Sequence, residues 1–342
     1  MNTTAQQDAE PSMAKAVHFS FVPPVDEHDV RKMRRPMLVH LNADTTWLLL
    51  LPRPKPTDGN SKEGFYRILI DPWFVGPQQE IAGWVSTQEH AIESCVKDIG
   101  DLLSAIRTFD GDEGNGIDAV IVSHEFTDHC HRETLMQVSS AVPVFAAGKN
   151  AAEMVRSWKH FTTVVEVSTG EEGVEMFEGV RVRRVESAGD APPTFHCAVV
   201  VSFDIDADAD SESGSEEECI VYTPHGVFPA ALEALTTTTG EYKYGRPLAL
   251  VHGLHDIRLG VAPYGGLSVR LNLGGGNGAG CMRACRWVKY WVGTHDERKI
   301  ERGAVSYMMW RRGYTVDEVA EADAEMRGRY VEVGNGEGVV LV

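Results

Sequence analysis

The stretch Ser123-His124-Glu125-Phe126-Thr127-Asp128-His129-Cys130-His131 packs three imidazoles and the Asp128 carboxylate into eight residues, His124 to His131. Imidazole and carboxylate are ordinary ligands for zinc and related divalent metals, so the chemistry on offer is metal binding. Two later histidines stand in comparable places. His225 follows Cys219-Ile-Val-Tyr-Thr-Pro, and His295 follows Trp291-Val-Gly-Thr and precedes Asp296-Glu297. Brought to one rim, His124, Asp128, His129, His225 and His295 form a cage for an ion. An ion with an open position lowers the pKa of bound water toward neutrality and polarises a substrate oxygen. Asp128 and His225 are the catalytic candidates, Asp128 either as a ligand or as the acceptor of the water's proton.

Strands must position these side chains. Ile117-Asp-Ala-Val-Ile-Val122 reads as a buried strand ending at the first cluster, and Phe65–Ile70 runs into Asp71-Pro72-Trp73, an acid at a strand end. Asp71 is expected to hydrogen-bond a ligand imidazole from behind, as metal-bound imidazoles require. Asp296 and Glu297 can do the same beside His295, or form a solvated turn. Further strands are expected at 36–40, 47–51, 163–167, 180–185, 199–203, 219–222 and 248–252. Cys95, Ile99, Leu102, Leu103 and Ile106 approximate helical spacing. Other helices are expected near 132–140, 151–158, 284–290 and 316–327. That order suits an α/β chain with two sheets packed face to face and helices outside.

Residues 1–30 read as a loosely held tail and 31–342 as a single domain. The acidic run 204–218 reads as a solvated, disordered hairpin tip. Leu273-Gly-Gly-Gly-Asn-Gly-Ala-Gly280 lacks the Lys-Ser/Thr of a phosphate loop and reads as a flexible loop over the site. Cys281 and Cys285 are expected to be packed free thiols. His252 and His255 either line the pocket or serve as packed or exposed polar groups. Trp73, Trp84 and Tyr264 are core aromatics by default and an aromatic rim otherwise.

Bulk properties exclude several classes. The net charge of −18 repels phosphate backbones and anionic lipid, which argues against nucleic-acid and membrane partners. No apolar run approaches the roughly 20 residues of a membrane span, and the first thirty residues lack a signal peptide's basic start and apolar centre. Six scattered cysteines do not make a disulfide framework in a chain of 342 residues. The expectation is a reduced, cytoplasmic protein with a small-molecule substrate and an open oligomeric state.

Leu69-Ile70-Asp71-Pro72-Trp73, Ser123-His124-x-x-x-Asp128-His129, Tyr222-Thr-Pro-His225-Gly226 and Gly293-Thr-His295-Asp296 together resemble the metallo-β-lactamase superfamily, over about residues 36–303. Asp128-His129-Cys130-His131-Arg132-Glu133-Thr134-Leu135 is similar to the Asp-His-x-His-x-x-Thr-Leu run of its ascorbate-phosphate-lactonase-like branch in plants, cyanobacteria and fungi. The resemblance implies an αββα sandwich with a metal site along one edge. The departures matter. The superfamily pattern is His-x-His-x-Asp-His, and its second His is Phe126 here. No His stands at 185–189, where another is usual, though His196 follows seven residues later. His225 replaces a bridging Asp. These losses imply one divalent ion, zinc first and manganese or iron as alternatives. It would be held by some of Asp128, His129, His225 and His295, with His124 as an extra ligand and Phe126 as an aromatic wall. His131 lies outside the core pattern and is open as a ligand, a proton shuttle or a partner of Asp128.

The reading is a metal-dependent hydrolase acting on an ester, lactone or thioester through metal-activated water. The alternatives are a non-hydrolytic Lewis-acid enzyme catalysing rearrangement, dehydration or elimination at the same site, and a non-catalytic metabolite-binding protein.

Overall fold

The computed structural model describes residues 16–25, 30–54, 64–80, 82–110, 116–170, 172–186, 195–204, 217–235, 242–261, 268–285, 288–320 and 323–342. Two large mixed sheets stack face to face. One has nine strands and is centred on Met37–His40, Trp47–Pro52, Phe65–Ile70, Ala119–Val122 and Val144–Ala147. The other has seven, with Cys197–Asp204, Glu217–Thr223, Arg246–His252 and Tyr290–Val292 at its middle. The expected α/β sandwich of αββα type is what forms.

The run Trp47-Leu48-Leu49-Leu50-Leu51 shows why the layers stack. Side chains alternate across a strand. Trp47, Leu49 and Leu51 enter the core between the sheets, with Ile68, Ile70, Val199, Val201 and Ile220. Leu48 and Leu50 enter a second core, under the helices Ile99–Asp110 and Lys149–Ser157. The second sheet behaves alike, with Tyr222 facing inward and Val221 and Leu250 facing a third core with Trp291 and Met282. A strand buried on both faces reads as an unbroken apolar run.

Parallel pairing decides where the site lies. Phe65–Ile70, Ala119–Val122 and Val144–Ala147 are parallel neighbours. So are Glu217–Thr223, Arg246–His252 and Tyr290–Val292 in the other sheet. Loops leaving the carboxyl ends of parallel strands share one side of a sheet, the usual place for a site in α/β folds.

Some expectations need correction. Val17–Phe21, inside the expected tail, is a strand antiparallel to Glu337–Val340. Most of the acidic run, residues 205–216, lies outside the described residues, but Glu217 and Glu218 begin a strand. The glycine-rich segment is not a loop: Gly274–Ala284 is an α-helix, so the helix expected at 284–290 lies earlier, and Tyr290 instead opens the short strand Tyr290–Val292, expected from Trp291. The helix glycines permit close packing. A β-carbon at Gly278 would overlap the Trp291 indole, and Gly274 has φ of 67°, where only glycine is comfortable. The last helix is two pieces, Val316–Ala320 and Ala324–Arg329, with Asp323 capping the second through the Met326 N–H at 2.9 Å. Cys281 and Cys285 are buried free thiols, as expected.

Candidate metal centre

Asp71 follows Ile70 with φ of 46°, a backbone region that non-glycine residues seldom occupy. The turn aims its carboxylate at the loop after Val122. Oδ1 accepts the Ser123 N–H at 2.7 Å. Oδ2 accepts from Ser123 Oγ at 2.5 Å, Tyr222 OH at 2.8 Å and His129 Nδ1 at 2.7 Å. Asp71 is fully buried, so these donors replace the water it has lost. It thus hydrogen-bonds the His129 imidazole from behind.

Three imidazoles are oriented in the same way. A carboxylate or carbonyl oxygen only accepts, so a ring nitrogen facing one carries the proton. His129 Nδ1 faces Asp71, His225 Nδ1 faces Leu271 O and Asn272 Oδ1 at 3.0 Å each, and His295 Nδ1 faces Asp44 Oδ1 at 2.8 Å. In its neutral form each ring therefore turns an Nε2 lone pair inward. His129 Nε2 and His225 Nε2 lie 2.9 Å apart. Asp128 Oδ1 sits 3.6 Å from His129 Nε2 and Asp128 Oδ2 3.8 Å from His295 Nε2. All four residues are buried.

This donor set fits a divalent cation. Two Nε2 atoms at 2.9 Å need a proton or a metal ion between them, since two bare lone pairs at that distance repel. Two nitrogens on a tetrahedral zinc, each about 2.0–2.1 Å from the ion, lie about 3.3 Å apart, close to the observed separation. Asp128 Oδ1 is a buried oxygen without a hydrogen-bond partner, and an ion supplies one. Without a metal ion the electrostatics favour a proton on His129. Burial works against a charged His129, yet Asp128 and Asp71 outweigh it and raise the imidazole above its ordinary value. Burial and then the neighbouring imidazoles push His225 well down. Burial would raise the Asp128 carboxyl, but Lys299, His129 and His295 hold it well below the carboxylate range, so it stays ionised.

The other sequence candidates take different places. His124 has a donor atom within 4.8 Å of those of His129 and His225. Both its nitrogens also meet protein atoms, Nδ1 at 2.8 Å from Ser123 Oγ and Nε2 at 3.1 Å from Phe195 O. His131 turns away from the cluster, Nδ1 to Thr134 Oγ1 at 2.9 Å at the start of the next helix. Asp296 does not touch His295. Its carboxylate binds the Leu254 and His255 N–H groups at 2.7–2.8 Å and so shapes a neighbouring strand end. Glu297 is no solvated turn, since it is buried and accepts from His90, Ala91 and Ile92. His196 packs near Phe228 with ring centroids 5.6 Å apart, and His252 pairs with Asn277 at 2.8 Å. Trp73 is buried, Trp84 is exposed, and Tyr264 lies outside the described residues.

Sequence reasoning missed Asp44 and Lys299. Asp44 belongs to Asn42-Ala-Asp-Thr-Thr46, a turn tied by Asn42 Oδ1 to the N–H groups of Asp44 and Thr46 at 2.9 Å each. Dense Asn, Asp and Thr between two apolar strands was the available signal. Lys299 sits in Asp-Glu-Arg-Lys, which looks exposed, yet 297 and 299 are buried while 298 is not. Burial disfavours its charge, but Asp128 and Asp44 more than compensate and raise it.

Beside the cluster lies a cavity of about 390 Å³. Asp128, His225, His295 and Lys299 line its floor, and Phe126, Phe195, Ile257, Leu259, Leu271 and Met309 are among its walls. Phe126 stacks on Phe195 with centroids 5.1 Å apart, the expected aromatic wall.

The chain has the metallo-β-lactamase fold. A possible metal-dependent hydrolase from Veillonella parvula DSM 2008 superposes with a TM-score of 0.55 at 14% identity, covering 90% of this chain and 100% of that one. An isothiocyanate hydrolase from Delia radicum gut bacteria gives 0.55 at 15% identity, covering 89% and 99%. The metallo-β-lactamase fold protein YhfI of Bacillus subtilis gives 0.46 at 11% identity, covering 89% and 98%. The sequence matches no protein-family profile and no curated protein. Within this metallo-β-lactamase fold, the His/Asp cluster lies where the strand ends of both sheets meet. Among the described residues no helix is long and apolar enough to cross a membrane.

Proposed function

We propose that the protein is a metal-dependent hydrolase of the metallo-β-lactamase superfamily, acting on the ester, lactone or thioester carbonyl of a small molecule with an apolar body. The observation that carries this reading is a pair of buried donor groups sharing His129: Asp128 and His295 gather with it on one side, and His124 and His225 on the other, with the His129 and His225 Nε2 atoms 2.9 Å apart. One divalent ion is proposed there, zinc first because imidazole and carboxylate are its ordinary ligands, with manganese and iron as alternatives. When bound, the ion supplies a Lewis acid and an activated water.

The chain's own groups do the rest. Asp71, Asp44 and Asn272 hold the three imidazoles in one tautomer. The apolar walls exclude water and bind the substrate's apolar body, which strengthens every charge interaction on the floor. Lys299 offers its ammonium at the cavity floor, where a substrate oxygen gains negative charge in the transition state. Two fold neighbours bear the names of hydrolases, which supports the class by analogy only. The lactonase-like branch rests on the Asp128-to-Leu135 run, whose His131 serves the start of a helix.

The test is metal analysis of the purified protein together with a panel of aryl esters, lactones and thioesters assayed with added zinc or manganese. Stoichiometric metal and turnover abolished by a chelator support the proposal. Bound metal without turnover of any member favours the Lewis-acid or binding alternatives, and absence of bound metal overturns the proposal.

A further inference from the structure

Lys299 is an unusual neighbour for a metal site, because it brings a positive charge to where cations are bound. Its ammonium lies 2.8 Å from Asp128 Oδ2 and 2.8 Å from Asp44 Oδ2, and 5.0 Å from the centroid of Trp73. Its side chain is only 3% exposed. The backbone that carries it is pinned on the near side, since Glu297 accepts from the Ala91 and Ile92 N–H groups at 2.7 and 2.9 Å and from His90 Nδ1 at 2.6 Å.

The candidate ligands form two overlapping groups, His124/His129/His225 and Asp128/His129/His295. His129 belongs to both, and its one inward lone pair binds one ion. With one ion on the His124/His129/His225 group, a second would draw on Asp128 and His295 of the other group and on the neighbouring Asp44 carboxylate. Those two carboxylates already face a common point, and that point holds the Lys299 nitrogen. Resting on the metal-centre reading above, we propose that the Lys299 ammonium takes the place of a second metal ion and limits the centre to one.

The geometry supports this beyond an ordinary buried ion pair. Lys299 bridges two carboxylates from different strand ends. One of them, Asp128, turns its other oxygen toward His129, and the other, Asp44, turns its other oxygen toward His295 Nδ1. The ammonium thus touches both carboxylates that serve the imidazoles, as a second cation would. Against a divalent ion, its repulsion and its occupied volume act together.

Titration of the metal-free protein with Co²⁺, read by its d–d absorption, and with Zn²⁺, read by calorimetry and by metal analysis after gel filtration, measures the stoichiometry. The wild type is expected to saturate at one equivalent. Lys299→Ala, which opens the space and leaves two facing carboxylates, is expected to bind a second equivalent. Lys299→Arg keeps the charge and is expected to stay at one. Two equivalents in the wild type overturn the proposal without any variant, so it remains testable if Lys299→Ala does not fold. One equivalent in both wild type and folded Lys299→Ala overturns this proposal alone. No bound metal in the wild type overturns the metal-centre reading itself.

Discussion

His129 and His225, 96 residues apart in the chain, face each other through their Nε2 atoms at 2.9 Å, while each turns its Nδ1 to a buried oxygen acceptor. Neither ring can flip without stranding that acceptor, so the two lone pairs are committed to the same point. A proton or a metal ion belongs between them.

That commitment makes the supporting carboxylate measurable. Asp71→Asn removes the negative partner of His129 Nδ1 and lets the ring turn. Metal affinity is expected to fall by about 10–100-fold, the usual cost of losing such a partner. His225→Ala, which deletes a donor, is expected to lose more. Competition with a chromophoric chelator reads both. Wild-type affinity in Asp71→Asn would refute the orienting role.

The glycine-rich helix makes opposite predictions two residues apart. Gly276 has open space around its absent β-carbon, whereas Gly278 lies against Trp291 and His252. Gly276→Ala should stabilise by up to about 1 kcal/mol through helix propensity. Gly278→Ala should destabilise by about 1–3 kcal/mol through overpacking. Urea unfolding distinguishes a packed helix from a loose loop, in which both changes would be nearly neutral.

His255 sets a pH dependence. Burial first, then Arg311 and Arg298, lower its imidazole to about 4 from an ordinary 6.5. Between these values the unfolded chain binds more protons, so stability rises with pH. The contribution is complete above pH 6.5 and is lost as pH falls toward 4. The wild type should lose about 2 kcal/mol more than His255→Asn between pH 7.5 and 4.5, after allowance for partial exposure. Parallel stability curves for the two proteins would show that His255 does not titrate in this way.

The apolar wall makes a prediction about specificity. Phe195→Ala removes a ring that stacks on Phe126 and faces the cavity. For apolar aryl esters kcat/KM should drop about tenfold or more, since burying an aromatic side chain is worth about 1.5–3 kcal/mol. Bound metal should stay unchanged. An equal drop for small polar esters would show that the ring positions the metal centre rather than the substrate.

Much of this was legible in the chain. The apolar runs at 47–51 and 119–122 announce strands buried on both faces, and they deliver Asp71 and the 123–131 cluster to strand ends. Asp128, His129, His225 and His295 could be chosen because donor chemistry is a property of residue type, and strand ends are visible from hydrophobic pattern. Which donors converge was not legible, because that depends on pairing between strands distant in sequence. His131 and Asp296 have the right chemistry but turn to local backbone and hydroxyl partners instead. Gly274–Ala284 looked like a loop because glycine lowers helix propensity, and packing against Trp291 overrode that preference. Asp44 and Lys299 sit in polar stretches that a solvent-facing turn would share. Only the tertiary structure buries them together, since it takes the meeting of two sheets to place a turn at 44 beside a residue at 299.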